Sequence, residues 1–336
     1  MKNCPIRFGL IGAGAIAQTY VQAFREWPDG RLVAVADIRT EAARQLAGAM
    51  KCTACSSVSE LLDTEIDAVV ICTPPNTHEE LVIEAVLRGK HVLCEKPFAL
   101  DSAAARRMIE AADRAEVRLT MASKFRYVED VVRAKSIVTS GILGDILAVE
   151  NTFTAKVDMS SRWNSDPMIS GGGVLIDNGT HSVDIMRYLL GPIVEVLAVE
   201  GKRVQQLPVE DNAYLLVRST SNLIGKIDLS WSIAKENDWY LCLFGSHGDV
   251  QVGWRTSRYR QASSRDWVIF GSGYHKVQAF RDQLANFAAA ILGEDRLLIT
   301  AQDALASVEV IEAAYRSLDK SQWTPVQAAQ WMELPL

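Results

Sequence analysis

No stretch of the 336 residues offers the roughly 20 consecutive apolar residues that a membrane helix needs; the apolar runs, such as Asp67-Ala-Val-Val-Ile-Cys72, are strand-sized. A basic excess is also missing. The formal net charge is -6 and the pI about 5.5, so nothing accumulates to neutralise the phosphates of a nucleic acid or an anionic membrane. No secretory leader is expected either, because the first apolar stretch is broken by Gly9, Gly12 and Gly14. These absences point to a cytoplasmic protein acting on a small molecule, with neither nucleic acid nor membrane as partner.

Cysteine is sparse, with six residues at 4, 52, 55, 72, 94 and 242, and free thiols are the expectation in a reducing compartment. Cys52 and Cys55 form a C-x-x-C, but no second pair and no clustered histidines complete four zinc ligands, so no metal is expected. The same two residues fit a short strand. Asn178-Gly-Thr180 matches a glycosylation acceptor, which has no meaning outside the secretory pathway. Internal repeats and low-complexity segments are absent.

What is present is enough apolar material, 49% of the residues, for more than one core in a chain of this length. The first part alternates. Apolar runs at 6–11, 32–36, 68–72 and 91–94 are interleaved with helical patterns beginning near Ala15 and Thr40 and at His78. Strands apolar throughout and separated by amphipathic helices predict a parallel sheet covered on both faces, a doubly wound α/β domain over residues 1–125. Beyond it, the runs at 146–153, 194–199, 213–217, 225–232, 240–244 and 250–254 alternate in polarity and are separated by turn residues. They predict an α/β domain over 126–336 with a large open, mostly antiparallel sheet. One helix, Thr180 to Leu190, interrupts it and stops at Gly191-Pro192, and helices from His275 to Leu292 and Ala301 to Leu318 close the chain.

The first turn carries a Gly12-x-Gly14-x-x-Ala17 motif between strand and helix, with Asp37 twenty positions after Ala17 at the tip of the next strand. Glycine lets the backbone turn tightly and approach a pyrophosphate, whose charge rests on the helix N-terminus. A Gly-rich turn of another α/β protein would leave Asp37 unexplained. A carboxylate there accepts hydrogen bonds from ribose hydroxyls and repels a 2′-phosphate, so NAD is preferred. Arg39 either pairs with the phosphate of NADP, keeping that cofactor open, or is a solvated surface charge. Ala15, Ile16 and Ile38 flank these groups and complete the expected contacts. At another strand end, Cys72-Thr73-Pro74-Pro-Asn76-Thr-His78 lies where such a fold places its ligand, although His78 equally suits a helix cap.

Glu95-Lys96-Pro97 ends the strand at 91–94, again at the cofactor edge, with Glu95 and Lys96 as further cofactor contacts. A lysine there reaches both nicotinamide and substrate, and burial would bring its pKa toward a working range; otherwise it is simply solvated. The proline after it fixes the local backbone and suits a cis bond. The most distinctive segment is Gly171-Gly-Gly173-Val-Leu-Ile-Asp177-Asn-Gly179-Thr-His181-Ser-Val-Asp184-Ile-Met-Arg187-Tyr188. Helical from about Thr180, it would align His181, Asp184 or Ile185, and Tyr188 on one face, with Asp177 at the helix entry. Histidine titrates near working pH and is suited to removing a hydroxyl proton as hydride leaves the carbon.

With these residues in view, the chain resembles the Gfo/Idh/MocA family of dehydrogenases along nearly its whole length, from Gly12-x-Gly14-x-x-Ala17 through Glu95-Lys96-Pro97 and Asp177-x-x-x-His181 to Thr300-Ala-Gln-Asp303-Ala-Leu. The resemblance implies a Rossmann domain followed by an α/β domain whose open sheet covers the site and commonly builds dimers or tetramers. It implies a catalytic trio of Lys96, Asp177 and His181, with His181 as proton acceptor, Lys96 orienting the substrate hydroxyl and Asp177 binding substrate or steadying the cluster. Where family members often show Arg-x-x-Pro, this chain has Lys124-Phe-Arg126-Tyr127-Val-Glu129 without the proline, a departure that falls on the substrate pocket. Lys124, Arg126, Tyr127, Arg162, Trp163 and Tyr274, with its neighbour His275, are candidate sugar contacts, or surface and interdomain residues.

Three functions follow. The first is hydride transfer between NAD(H) and a carbinol or carbonyl carbon of a sugar, inositol or nucleotide-linked sugar. The second is a non-catalytic NAD-binding regulator, which loss of the lysine or histidine would have favoured. The third is a glycosidase that oxidises and re-reduces its substrate on bound NAD.

Overall fold

The computed structural model describes residues 5–264 and 266–326; Cys4, counted above, lies outside them. The chain forms two compact units.

The first comprises residues up to Tyr127 together with His275–Leu305. Its strands are β1 (Ile6–Ile11), β2 (Gly30–Ala36), β3 (Thr53–Cys55), β4 (Ala68–Ile71), β5 (His91–Glu95) and β6 (Leu119–Ala122). They form one parallel sheet in the order β3-β2-β1-β4-β5-β6, as the uninterrupted apolar runs require. The order reverses between β1 and β4, and the open end of the crevice therefore lies at the carboxyl ends of these two strands. On one face Phe8, Leu10, Val35, Val70 and Leu93 pack under Ala17, Tyr20 and Phe24 of the Ala15–Arg25 helix. The same core takes Phe280, Leu284 and Phe287 from the Lys276–Ile291 helix, with Phe8 and Phe287 ring centroids 6.3 Å apart.

The division expected at 125/126 falls within two residues of the first crossing, but a two-block split leaves out the return of 275–305. That return is fastened by polar contacts as well. Thr120 Oγ1 donates to the Ile299 carbonyl at 2.6 Å, and Arg126 donates to the Leu298 carbonyl at 3.3 Å and faces Asp303 at 3.5 Å. Tyr127 Oη donates to Asn286 at 3.1 Å.

The second unit holds β7 (Ile146–Thr154), β8 (Ile193–Glu200), β9 (Asn212–Ser219), β10 (Ile224–Ser230), β11 (Trp239–Gly245), β12 (Gly248–Gly253), β13 (Ser257–Gln261), β14 (Val268–Gly271) and β15 (Thr324–Pro325). Among the described residues they form a nine-stranded sheet, β14-β13-β12-β11-β7-β10-β9-β8-β15, antiparallel except where β7 and β10 run together. The expected strands are present with edges shifted by a residue or two. β13 and β14 are additional to the expected strands: Ser257-Arg-Tyr-Arg-Gln261 offers no alternating apolar face, and Val268–Gly271 is only 4 residues long.

A larger departure concerns the helix of the glycine-rich segment. It runs Val174–Leu190 and so begins six residues before Thr180. Gly179, which reads as a breaker, is in its interior, where a Cβ would press on Leu229 of β10 and Ile311 at 3.2 and 3.3 Å. Close packing of helix on sheet outweighs the intrinsic cost of glycine there, about 1 kcal/mol.

Candidate active site

In the first unit the glycine motif turns as its chemistry demands. Gly12 has φ +95°, and a Cβ there would lie 2.9 Å from the Cys72 carbonyl carbon. Only glycine fits both the conformation and the space. Gly14 differs: its φ is -78°, and nothing stands within 4 Å of the Cβ position. The space it leaves is in front of a helix with no capping side chain and no acidic residue in its first turn. Exposed N–H groups and unopposed dipole at such an end suit a pyrophosphate, so the turn fits a dinucleotide. Ala15 and Ile16 open this helix.

Asp37 stands at the tip of β2 with its carboxylate 8% exposed. Oδ2 accepts the Ala13 N–H at 2.6 Å, and Oδ1 accepts the Arg39 N–H at 2.7 Å. Oδ1 also accepts from Arg39 Nε at 3.4 Å, and Oδ2 keeps a lone pair for a ribose hydroxyl. Arg39 is two-thirds exposed and its Nε lies 3.4 Å from Asp37, so its charge rests on the carboxylate. Ile38 is fully exposed, an apolar side chain set where a flat adenine could cover it. At the end of β4, Thr77 Oγ1 bonds Thr73 Oγ1 at 2.7 Å and the Pro74 carbonyl at 2.8 Å, and Asn76 is left exposed.

Two expected cofactor contacts have other work. His78 is fully buried, its Nδ1 2.9 Å from the Pro97 carbonyl and its Nε2 2.9 Å from that of Thr73. Burial lowers its pKa, against the pull of those carbonyls. The buried ring thus lies between the loop after β4 and the loop after β5, donating in its neutral form to one of the two carbonyls, and both ring nitrogens are turned to backbone. Glu95 also points inward. Tyr20 Oη donates to its Oε1 at 2.8 Å, Gln283 Nε2 donates on to Tyr20 at 3.1 Å, and the Lys96 N–H reaches Oε2 at 3.2 Å. Burial raises the Glu95 pKa despite Tyr20 and the nearby charges of Lys96 and Lys124. Tyr20 and Gln283, on separate helices, carried no sequence signal for this network.

Lys96 follows β5 half-buried, and its peptide to Pro97 is cis. Lys124 is grouped with it by their shared field on Glu95, and its Nζ lies 5.3 Å from the Phe125 ring centroid. Arg126, 4% exposed, and Tyr127 instead brace the returning segment as described, which is the alternative reading of these two.

In the second unit Asp177 lies in the first turn of the Val174–Leu190 helix and His181 follows one turn later. Residues four apart share a helix face, so Asp177, expected at the helix entry, instead shares a face of the helix with His181. Asp177 is half-buried and His181 7% exposed. Asp184, considered for the same face, is fully buried, and Tyr188 is half-buried with Lys135 Nζ 5.5 Å from its ring centroid. Trp163, 41% exposed, begins a short turn after the exposed Arg162. Tyr274 packs edge-on against Trp254, ring centroids 5.6 Å apart, next to Tyr240 and Phe153. Among the described residues no His, Cys, Asp or Glu cluster could hold a metal ion, and no helix is long and apolar enough to cross a membrane.

A doubly wound sheet with this turn, this aspartate and a lysine at one edge defines a dinucleotide-binding oxidoreductase. Comparison with known proteins narrows the class. Residues 6–123 match the model of an oxidoreductase family with an NAD-binding Rossmann fold, and 131–251 match the GFO/IDH/MocA C-terminal domain; the chain belongs to the Gfo/Idh/MocA family. It is similar to an inositol 2-dehydrogenase of Rhizobium meliloti (strain 1021), 28% identical over 93% of this chain and 97% of the relative. A myo-inositol 2-dehydrogenase of Thermotoga maritima is 30% identical over 73% of this chain and 74% of its own. In fold it resembles a levoglucosan dehydrogenase solved with NADH, TM-score 0.89, 22% identical, covering 96% of this chain and 99% of that one.

Proposed function

We propose that the protein transfers hydride between NAD(H) and a carbinol or carbonyl carbon of an inositol or related cyclic sugar, with Lys96, Asp177 and His181 as the reacting side chains. The observation that carries this reading is the open space at Gly14 before an uncapped helix, with Asp37 on the adjacent strand tip and Lys96 at the same sheet edge. Bound NAD supplies the two-electron acceptor. Gly12 to Ile16 would hold its pyrophosphate, Asp37 its ribose and Ile38 its adenine, with Thr73, Pro74 and Asn76 along the neighbouring loop.

His181 takes the proton of the substrate hydroxyl on a ring nitrogen as hydride departs, since an imidazole nitrogen can act as a general base. The Lys96 ammonium donates to the substrate oxygen and favours its developing negative charge. Asp177, on the same helix face as His181, accepts from a neighbouring hydroxyl and favours the imidazolium. In the reductive direction each proton moves the opposite way. Lys124, Arg162, Trp163 and Tyr274 are proposed as further substrate contacts.

The names of the relatives, inositol 2-dehydrogenase and myo-inositol 2-dehydrogenase, support a cyclic polyol. We place the reaction in the cytoplasm and assign the second unit to substrate binding and to assembly of a homodimer or homotetramer. The test is a panel of inositols and monosaccharides with NAD, read at the reduced-nicotinamide absorbance, beside ketosugars with NADH. Stoichiometric NADH formation with a polyol is expected; NAD binding without redox change on any member would overturn the assignment.

A further inference from the structure

Gly171-Gly-Gly173 takes no part in cofactor binding or proton transfer as proposed, yet it opens the helix that bears Asp177 and His181. A helix start leaves its first N–H groups without intrahelical acceptors. The N-cap here, Gly173, has no side chain to offer. Glu210, two residues before β9, supplies the acceptors instead. Its Oε1 takes the N–H groups of Gly173 and Leu175, both at 3.0 Å, and its backbone carbonyl takes that of Val174 at 2.9 Å. The first bond internal to the helix then runs from the Asp177 N–H to the Gly173 carbonyl at 3.0 Å.

Tyr315 closes the arrangement by donating its hydroxyl to the same Oε1 at 3.0 Å. Glu210 is 5% exposed, so water does not compete for these bonds, and hydrogen bonds in such surroundings are strengthened. The glycines belong to the same device. A Cβ on Gly172 would lie 1.8 Å from Tyr315 Oη, and one on Gly173 would lie 2.0 Å from the Glu210 carbonyl oxygen. A serine or aspartate N-cap would satisfy the helix locally, but it would not tie the helix start to a segment 37 residues away.

We propose that Glu210, backed by Tyr315, is a positioning residue for hydride transfer: it pins the first turn of this helix and so places the Asp177 carboxylate and, one turn on, the His181 imidazole. The inference rests on the assignment of proton chemistry to those two side chains. A displacement of about 1 Å at reacting groups costs on the order of 10²-fold in rate.

The test uses the full chain and compares Glu210→Ala, Glu210→Gln and His181→Ala. Two readouts are taken: amide hydrogen exchange across residues 170–185 without ligand, and steady-state kinetics with NAD and the polyol of highest turnover in the panel above. Glu210→Ala should speed exchange of the 173–176 amides at least about tenfold and lower kcat about 10²-fold, with KM for NAD within about twofold. Glu210→Gln, which keeps an acceptor oxygen, should recover most of both losses. Wild-type exchange and kcat in Glu210→Ala, or equal losses in Ala and Gln, would overturn the clamp. Full turnover in His181→Ala would instead bring down the chemical assignment. Should Glu210→Ala not fold, Tyr315→Phe decides: faster exchange with lower kcat supports the clamp, and unchanged values contradict it.

Discussion

At the scale of single residues, the side chains divide by which way they face. Asp37 and Ile38 are turned to the crevice, whereas Glu95 and His78, one residue or a few from the same edge, are drawn into the protein and hold the loops that flank Lys96. Glu95 illustrates the consequence for stability. Burial raises its pKa above the usual carboxylate value, so the folded state binds its proton more tightly than the unfolded state does. Its contribution is fully present below the unfolded pKa, near 4.3, and is lost as pH rises through the raised folded value. Glu95→Gln, which does not titrate, should therefore gain on the wild type as pH rises. Urea midpoints of both proteins from pH 4 to 8 measure this; a pH-independent difference would contradict the inward, desolvated placement. Sequence alone located Glu95 at the strand end but not its direction, because the facing Tyr20 and Gln283 come from helices far apart in the chain.

Among the elements, the strand–turn–helix unit at 6–25 was the most legible, since its motif is local and each residue has a backbone reason. Gly12 is constrained twice over, by φ and by the Cys72 carbonyl. Gly12→Ala should cost about 1–3 kcal/mol in backbone strain and weaken NAD binding at least about tenfold, read by titration of protein fluorescence. Unchanged affinity would remove this turn from the cofactor site. The Val174–Leu190 helix was less legible. Its triple glycine and Asn178-Gly179 look like breakers, and the cap that allows an early start is contributed by Glu210 and Tyr315, which no local pattern announces. β13 is illegible for a related reason: an arginine-rich strand whose Arg258 lies 4.4 Å from the Trp239 ring centroid and 4.2 Å from that of Trp267 lacks the apolar alternation that marks a strand; β14 is a run of only four residues.

For the whole molecule, the two sheets were readable because period and apolar content differ between a parallel sheet buried on both faces and an open antiparallel one. The return of residues 275–305 to the first unit was not, because an amphipathic helix records that it has a buried face and not which core receives it. Arg126 and Tyr127 show the cost of that gap: as isolated letters they suit a sugar, and in the fold they anchor the return. The central claim of the proposed chemistry is that Lys96 and His181 act as a functional pair. A double-mutant cycle in single-turnover hydride transfer tests this most directly. Lys96→Ala and His181→Ala should each slow the step by about 10²–10⁴-fold while leaving NAD affinity near that of the wild type. The double variant should be no slower than the worse single one, as groups that act together are strongly non-additive. Full additivity of the two losses, or wild-type turnover in either single variant, would contradict the account.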